Sequence, residues 1–241
     1  MLQSFFIFLA LGVLLALGLV SSTANYADNW AWFATLILLL ALVAFWRRFD
    51  RSRVETRELA LISVLAALAA AFRLPFAALV NVQPTTFLVL ISGYVFGLEP
   101  GFAVGAAAAL VSNFFLGQGP WTPWQMLAWG LGGAAAGLWG RYQAGFPPAA
   151  FAAAAGLWGF LYGWIMNLWH WAGFIYPLTW KTFLATYMLS LPFDAMHAVG
   201  NVVFALVFGP SFYRILARFR DKSIIYYRDG EKRDSSSGRY P

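Results

Sequence analysis

At 241 residues, with 61% hydrophobic and 11% charged side chains and a mean hydropathy of +0.67, the chain lies outside the range of water-soluble domains and requires lipid as its solvent. The net charge of +6 does not build a nucleic-acid surface: of sixteen Lys and Arg, five fall between Arg47 and Arg57 and eight between Arg214 and Arg239, at the ends of apolar runs. With no cysteine, disulfides and thiolate metal sites are excluded.

Two apolar runs, 5–20 and 30–46, come first, and both are close to the length that crosses about 30 Å of hydrocarbon. Small residues at 20–24 resemble a leader-peptide cleavage site, yet no basic residue precedes the run, so it reads as a retained helix. A basic linker follows. Six further helices are predicted at 57–72, 85–96, 102–116, 122–139, 147–171 and 181–208, which gives an all-α integral membrane protein of two plus six spans. The predicted divisions are residues 1–50 for the extra pair, 51–213 for the six-helix bundle, and 214–241 for a basic cytoplasmic tail that is partly disordered from 229 onward. Both basic clusters lie on the cytoplasmic side only if an even number of crossings separates them, and six satisfies this. Both termini are then inside, Arg73 and Lys181 face outward, and the outer loops are 74–84, 117–121 and 172–180.

The 85–96 helix measures only about 18 Å at 1.5 Å per residue, too short to cross alone. The preceding loop 74–84 is therefore expected to dip inward, buried in protein or lining a cavity. A tight turn is predicted at 97–101. In the last span Thr182, Thr186, Ser190, Asp194, His197 and Asn201 recur at spacings of three and four and share one helix face. Asp194 is the costly member, because an ionised carboxylate at membrane depth must be paired, hydrated or protonated. The stripe reads either as a cavity wall or as helix packing with Asp194 paired to His197. In the fifth core helix Gly163, Asn167 and His170 share a face near Trp169 and Trp171. The segment from Gly117 to Met126 crowds Gly, Pro, Trp and Gln around an outer loop, as a rim over a ligand or an interfacial anchor. Ser63, Ala66, Ala67, Ala70 and Ala71 form small-residue pairs on the first core helix, suited to close approach by another helix. Gly105, Ala109, Gly132, Gly133 and Gly137 form a second such face, expected to be internal.

Six helices with both ends inside, the alanine pairs, the run Asn81 to Thr86 and above all the stretch SNFFLGQGPWTPWQM from Ser112 to Met126 resemble the S components of energy-coupling factor (ECF) vitamin transporters, over roughly 55–213. Within that family the likeness is greatest to the cobalamin-type members. The resemblance implies a binding subunit in the bacterial cell membrane that captures one vitamin-sized molecule, cobalamin ranked first, and docks its alanine face on a T subunit driven by two cytoplasmic ATPases. It makes Asn81, Gln83, Asn113, Gln118, Trp121, Trp124 and Gln125 substrate contacts. Asn167, Trp171, Asp194 and His197 join them from their helix faces. The two leading helices depart from the six-helix pattern.

No phosphate-binding loop ending in Gly-Lys-Ser or Gly-Lys-Thr occurs, so energy by that route must come from a partner, and no cofactor is expected. Two alternatives stand beside capture. An intramembrane enzyme using Asp194 and His197 would have its Ser, His and Asp on one helix, where they do not readily converge. A stand-alone secondary transporter would show internal repeats and several embedded carboxylates, whereas Asp194 is the acid deep in a span. Arg73 and Lys181 near the outer loops would suit a small carboxylate vitamin better than cobalamin.

Overall fold

The structure, a computed structural model, describes residues 38–40, 42, 43, 47 and 56–237. The run at 5–20, the linker at 48–55 and the end at 238–241 lie outside the described residues. Residues 38–40, 42, 43 and 47 are helical, and Leu38 and Leu42 are buried in the core.

Six helices follow among the described residues: α1 (Thr56–Arg73), α2 (Thr85–Phe96), α3 (Leu98–Leu116), α4 (Thr122–Tyr142), α5 (Pro148–Phe174) and α6 (Trp180–Ser237). α2 is the central element, with every residue from Thr85 to Val95 buried. It packs against each of the other five, α3 pairs with α4, and α5 pairs with α6. A helix ringed by others has no lipid-facing surface to satisfy, which explains how so short an apolar segment belongs to a membrane bundle. Three helices, Leu98–Leu116, Pro148–Phe174 and the 43 residues Trp180–Lys222, are long and apolar enough to span.

Glycine sets the closest approaches. A Cβ built on Gly133 of α4 would lie 2.0 Å from the carbonyl oxygen of Gly101 on α3, and one on Gly101 would lie 2.4 Å from that of Gly133, so the two backbones touch where no side chain intervenes. Gly105 meets the Trp129 backbone and Gly137 that of Gly97, and Ala109 is fully buried; these positions are internal as expected. Gly132 is internal too but turns toward the Trp158 indole of α5. α2 and α3 are joined by Gly97 alone, at φ +104°, a conformation that L side chains rarely adopt.

Several boundaries differ from the sequence reading. α3 begins at Leu98, so Glu99, Pro100 and Gly101 form its first turn rather than a loop; proline is tolerated there because its missing N–H has no helical partner to lose. α6 does not stop near 208 but carries Pro192 and Pro210 within it. Trp180–Lys222 alone is about 64 Å long at 1.5 Å per residue, twice the hydrocarbon thickness. The backbone stays helical to Ser237, through the segment read as an irregular tail.

On α1, Ser63, Ala67 and Ala71 are exposed, whereas Ala66 and Ala70 are 3% exposed and face inward. The alanine face is thus two faces: adjacent residues differ by about 100° around a helix, so 66 and 70 cannot present to the same side as 67 and 71. Loop 74–84 is also divided. Pro84 is buried and Gln83 half-buried, but residues 77–80 are exposed, their turns closed by the bonds Ala77 N to Leu74 O and Leu79 N to Phe76 O.

Replacing Gly133 by Val is expected to push α3 and α4 apart and to destabilise the bundle by about 1–3 kcal/mol or more. The thermal midpoint followed by tryptophan fluorescence should fall clearly, while Ala67→Val on the exposed face leaves it within about 1 °C.

Candidate functional site

A cavity of about 330 Å³ opens at the end of the bundle that carries loops 74–84, 117–121 and 175–179. α1 and its loop bring Arg73, Asn81 and Gln83; α4 brings Gln125 and Trp129; α5 brings Tyr162, Gly163, Met166 and Asn167; α6 brings Ser190, Phe193, Asp194 and His197.

One wall is built around Arg73, the last residue of α1, which is 8% exposed. Its Nε donates to Gln83 Oε1 at 2.9 Å, and its Nη1 donates to Ser112 Oγ and Asn113 Oδ1, both at 2.7 Å. The guanidinium carbon lies 4.9 Å from the Trp129 ring centroid. Every one of these partners is neutral, and no carboxylate lies within ion-pair distance of Arg73 among the described residues. Asn113 is held in turn: its Nδ2 donates to Thr122 Oγ1 at 2.9 Å and to Gln125 Oε1 at 2.7 Å. Thr122 donates to Gln118 Oε1.

The opposite wall is α6. Ser190 Oγ donates to Asp194 Oδ2 at 3.0 Å, and Asn167 Nδ2 donates to Ser190 Oγ at 2.5 Å. The carboxylate lies directly over the backbone of Gly163, where a Cβ would come within 2.0 Å of Oδ1. Between the walls is an aromatic floor. Trp129 Nε1 donates to Thr86 Oγ1 at 2.9 Å, and Thr86 Oγ1 lies 2.8 Å from His197 Nε2. The Thr86 hydroxyl accepts from the indole and pairs with His197 Nε2, with the direction of that second bond set by the imidazole tautomer. Tyr162 packs on Trp129 at 4.8 Å and edge-on to His197 at 5.1 Å. Asn81, at φ +54°, is in the left-handed region that Asn tolerates, and its Nδ2 donates to Phe193 O at 3.3 Å, tying the loop to α6.

This is a polar cavity, open at one end of an apolar bundle, with a cation on one side and a carboxyl group on the other. The family model described as "ECF transporter, substrate-specific component" matches residues 57–211.

The chain belongs to the ECF transporter substrate-specific component family. An S component is a transporter subunit and not an enzyme, and its family supports a multi-pass membrane protein that binds a small molecule and works with T and ATPase subunits. No curated protein matches the chain, and no solved structure matches it.

Of the residues the sequence singles out in this S component, Asn81, Gln83, Gln125, Asn167, Asp194 and His197 line the cavity. The other five sit elsewhere. Asn113 is buried behind Arg73; Gln118 is exposed and donates to Leu110 O at 3.0 Å. Trp124 belongs to the core, and Trp121 lies edge-on to Trp169 at 6.3 Å. Trp171 donates to Thr182 Oγ1 at 3.1 Å, joining α5 to α6. The Gly117 to Met126 segment therefore frames the Arg73 wall and sends Gln125 alone into the chamber. The polar face of α6 turns inward, with Asp194 bonded to Ser190 and His197 to Thr86.

Sequence reading placed Arg73 at an outer helix end and did not count it among the contacts. Its signal was present: it follows a run of fourteen uncharged residues in α1, with Gln83 ten residues on. Trp129 and Tyr162 carried no such signal among so many aromatics.

Asn113→Leu should remove one of the guanidinium's acceptors along with the anchor of Gln125, and lower stability by about 1–3 kcal/mol. Gln118→Ala, at an exposed position, should cost less than about 1 kcal/mol. Paired thermal unfolding of the two variants in detergent checks the difference.

Proposed function

We propose that this S component captures a vitamin-type small molecule from outside a bacterial cell membrane and passes it to a module of one T subunit and two cytoplasmic ATPases. The observation that carries the reading is the chamber itself: thirteen residues of four helices and a loop close around about 330 Å³ at one end of the bundle, while the other end is closed by glycine-mediated helix packing. Asn81, Gln83, Gln125, Asn167, Asp194 and His197 are the proposed substrate contacts, joined by Arg73. Asn113 supports them from behind.

The chamber's volume lies at the small end of ligand pockets, which run from about 300 to 1,000 Å³. It therefore favours a compact ligand over cobalamin, whose corrin ring and nucleotide arm need a far wider vestibule. The charge distribution supports the orientation. Arg141, Arg214, Arg218, Arg220 and Lys222 lie at the end away from the chamber, which by the positive-inside rule supports a cytoplasmic face there and a chamber open to the outside. Ser63, Ala67 and Ala71 remain the proposed face for the T subunit, without Ala66 and Ala70.

In cells supplied with the T and ATPase subunits, the chain should drive uptake of its ligand, and omission of the ATPases should reduce uptake to background. Ala67→Trp together with Ala71→Trp should abolish co-purification with the T subunit and leave ligand-induced thermal stabilisation of the isolated chain unchanged. Uptake that persists without ATPases would favour a stand-alone carrier instead.

A further inference from the structure

Building on the capture reading, we infer that the ligand is amphoteric in its recognition: a compact molecule with an anionic carboxylate at one end and N–H donors, as an amine, amide or ureido group, at the other. The first half rests on Arg73. Nε and Nη1 are committed to Gln83, Ser112 and Asn113, whereas Nη2 has no protein partner among the described residues and is not sealed from the chamber it borders. A guanidinium presents five donors in a fixed fork suited to planar oxyanions. Here a neutral cradle fixes that fork and leaves one arm open. A resident carboxylate would have neutralised it; none is within reach among the described residues. Burying a cation in this way costs several kcal/mol, which an anionic ligand would offset on binding.

The second half rests on Asp194. Ser190 donates to Oδ2, Asn167 donates to Ser190, and Oδ1 lies over the Gly163 backbone beside the chamber that Asp194 lines. Arg73 and Asp194 border the same space from opposite helices yet bond to different neutral partners and not to each other. Two unlike charges held apart across a cavity of this size select a ligand that spans them with complementary ends. A cation alone would meet Arg73, and a dianion would meet Asp194.

The test uses the full chain in lipid nanodiscs and follows binding by thermal shift and calorimetry. The probes are biotin, pantothenate, nicotinate and 4-aminobenzoate, each beside its methyl ester, with thiamine and pyridoxine as members lacking a carboxylate. The expected result is saturable binding by an acid that also carries N–H donors, weakened about 10- to 100-fold in its ester. The ester comparison is made on the unaltered protein, so it does not depend on a variant that folds. Arg73→Gln should weaken the acid by a similar factor, and Asp194→Asn should weaken acids with N–H donors more than nicotinate, which has none. Binding of thiamine, pyridoxine or an ester as tightly as any acid would overturn this inference while leaving capture intact. Silence of every member would overturn both.

Discussion

A guanidinium enclosed in an apolar bundle is tolerated only if its donors are matched, and much of the chamber end of this protein is organised around that requirement. Arg73 ends α1 at the depth where Gln83 returns from the loop and where Ser112 and Asn113 close α3. Asn113 in turn depends on Thr122 and Gln125, and Thr122 on Gln118, so the polar residues of the α3–α4 connection form a second layer behind the charge. The network uses neutral acceptors throughout. It holds the cation in place without cancelling it, as the proposed role in recognition requires.

The bundle has two ends with different packing rules. Away from the chamber, Gly101 and Gly133 bring α3 and α4 into backbone contact, Gly137 approaches Gly97, and Tyr94 gathers Trp139, Phe146 and Phe151 around itself. Toward the chamber the small residues give way to Trp129, Tyr162, Met166 and Phe193, whose bulk holds the helices apart. Gly163 is the exception that fits the rule: it lets Asp194 lie against α5 instead of being pushed away by a side chain. The cavity is thus a consequence of where glycine stops and aromatics begin.

The hydrophobic runs and the three-and-four spacing of the α6 stripe made the helices and their inward polar face legible in the sequence, because both are properties of one helix alone. Properties that depend on two helices were less legible. The alanines of α1 look like one surface in the sequence, yet a 100° step per residue sends Ala66 and Ala70 inward and Ala67 and Ala71 outward. The Trp-rich loop is near the chamber in sequence, but Trp121, Trp124 and Gln118 point to other elements. Two boundaries were misplaced beside prolines: Pro100, read within a turn, sits in a first helical turn that needs no N–H from it, and the last helix, ended at 208 in the sequence, continues through Pro210. Arg73 was read as an outward charge suited to a carboxylate ligand but not counted among the contacts, because the loop, α3 and α4 groups that converge on it are brought together only by the fold.

The central claim is that the ligand lies between Arg73 and Asp194, above the floor of Trp129 and Tyr162. A cryo-EM map of the chain with its bound ligand, taken on a complex with a rigid binding fragment to add mass, tests this most directly. The account predicts ligand density in that chamber with an anionic group at the Arg73 guanidinium. Density under the Gln118 to Trp121 loop or at a lipid-facing groove, with the chamber between Arg73 and Asp194 empty or collapsed, would contradict it.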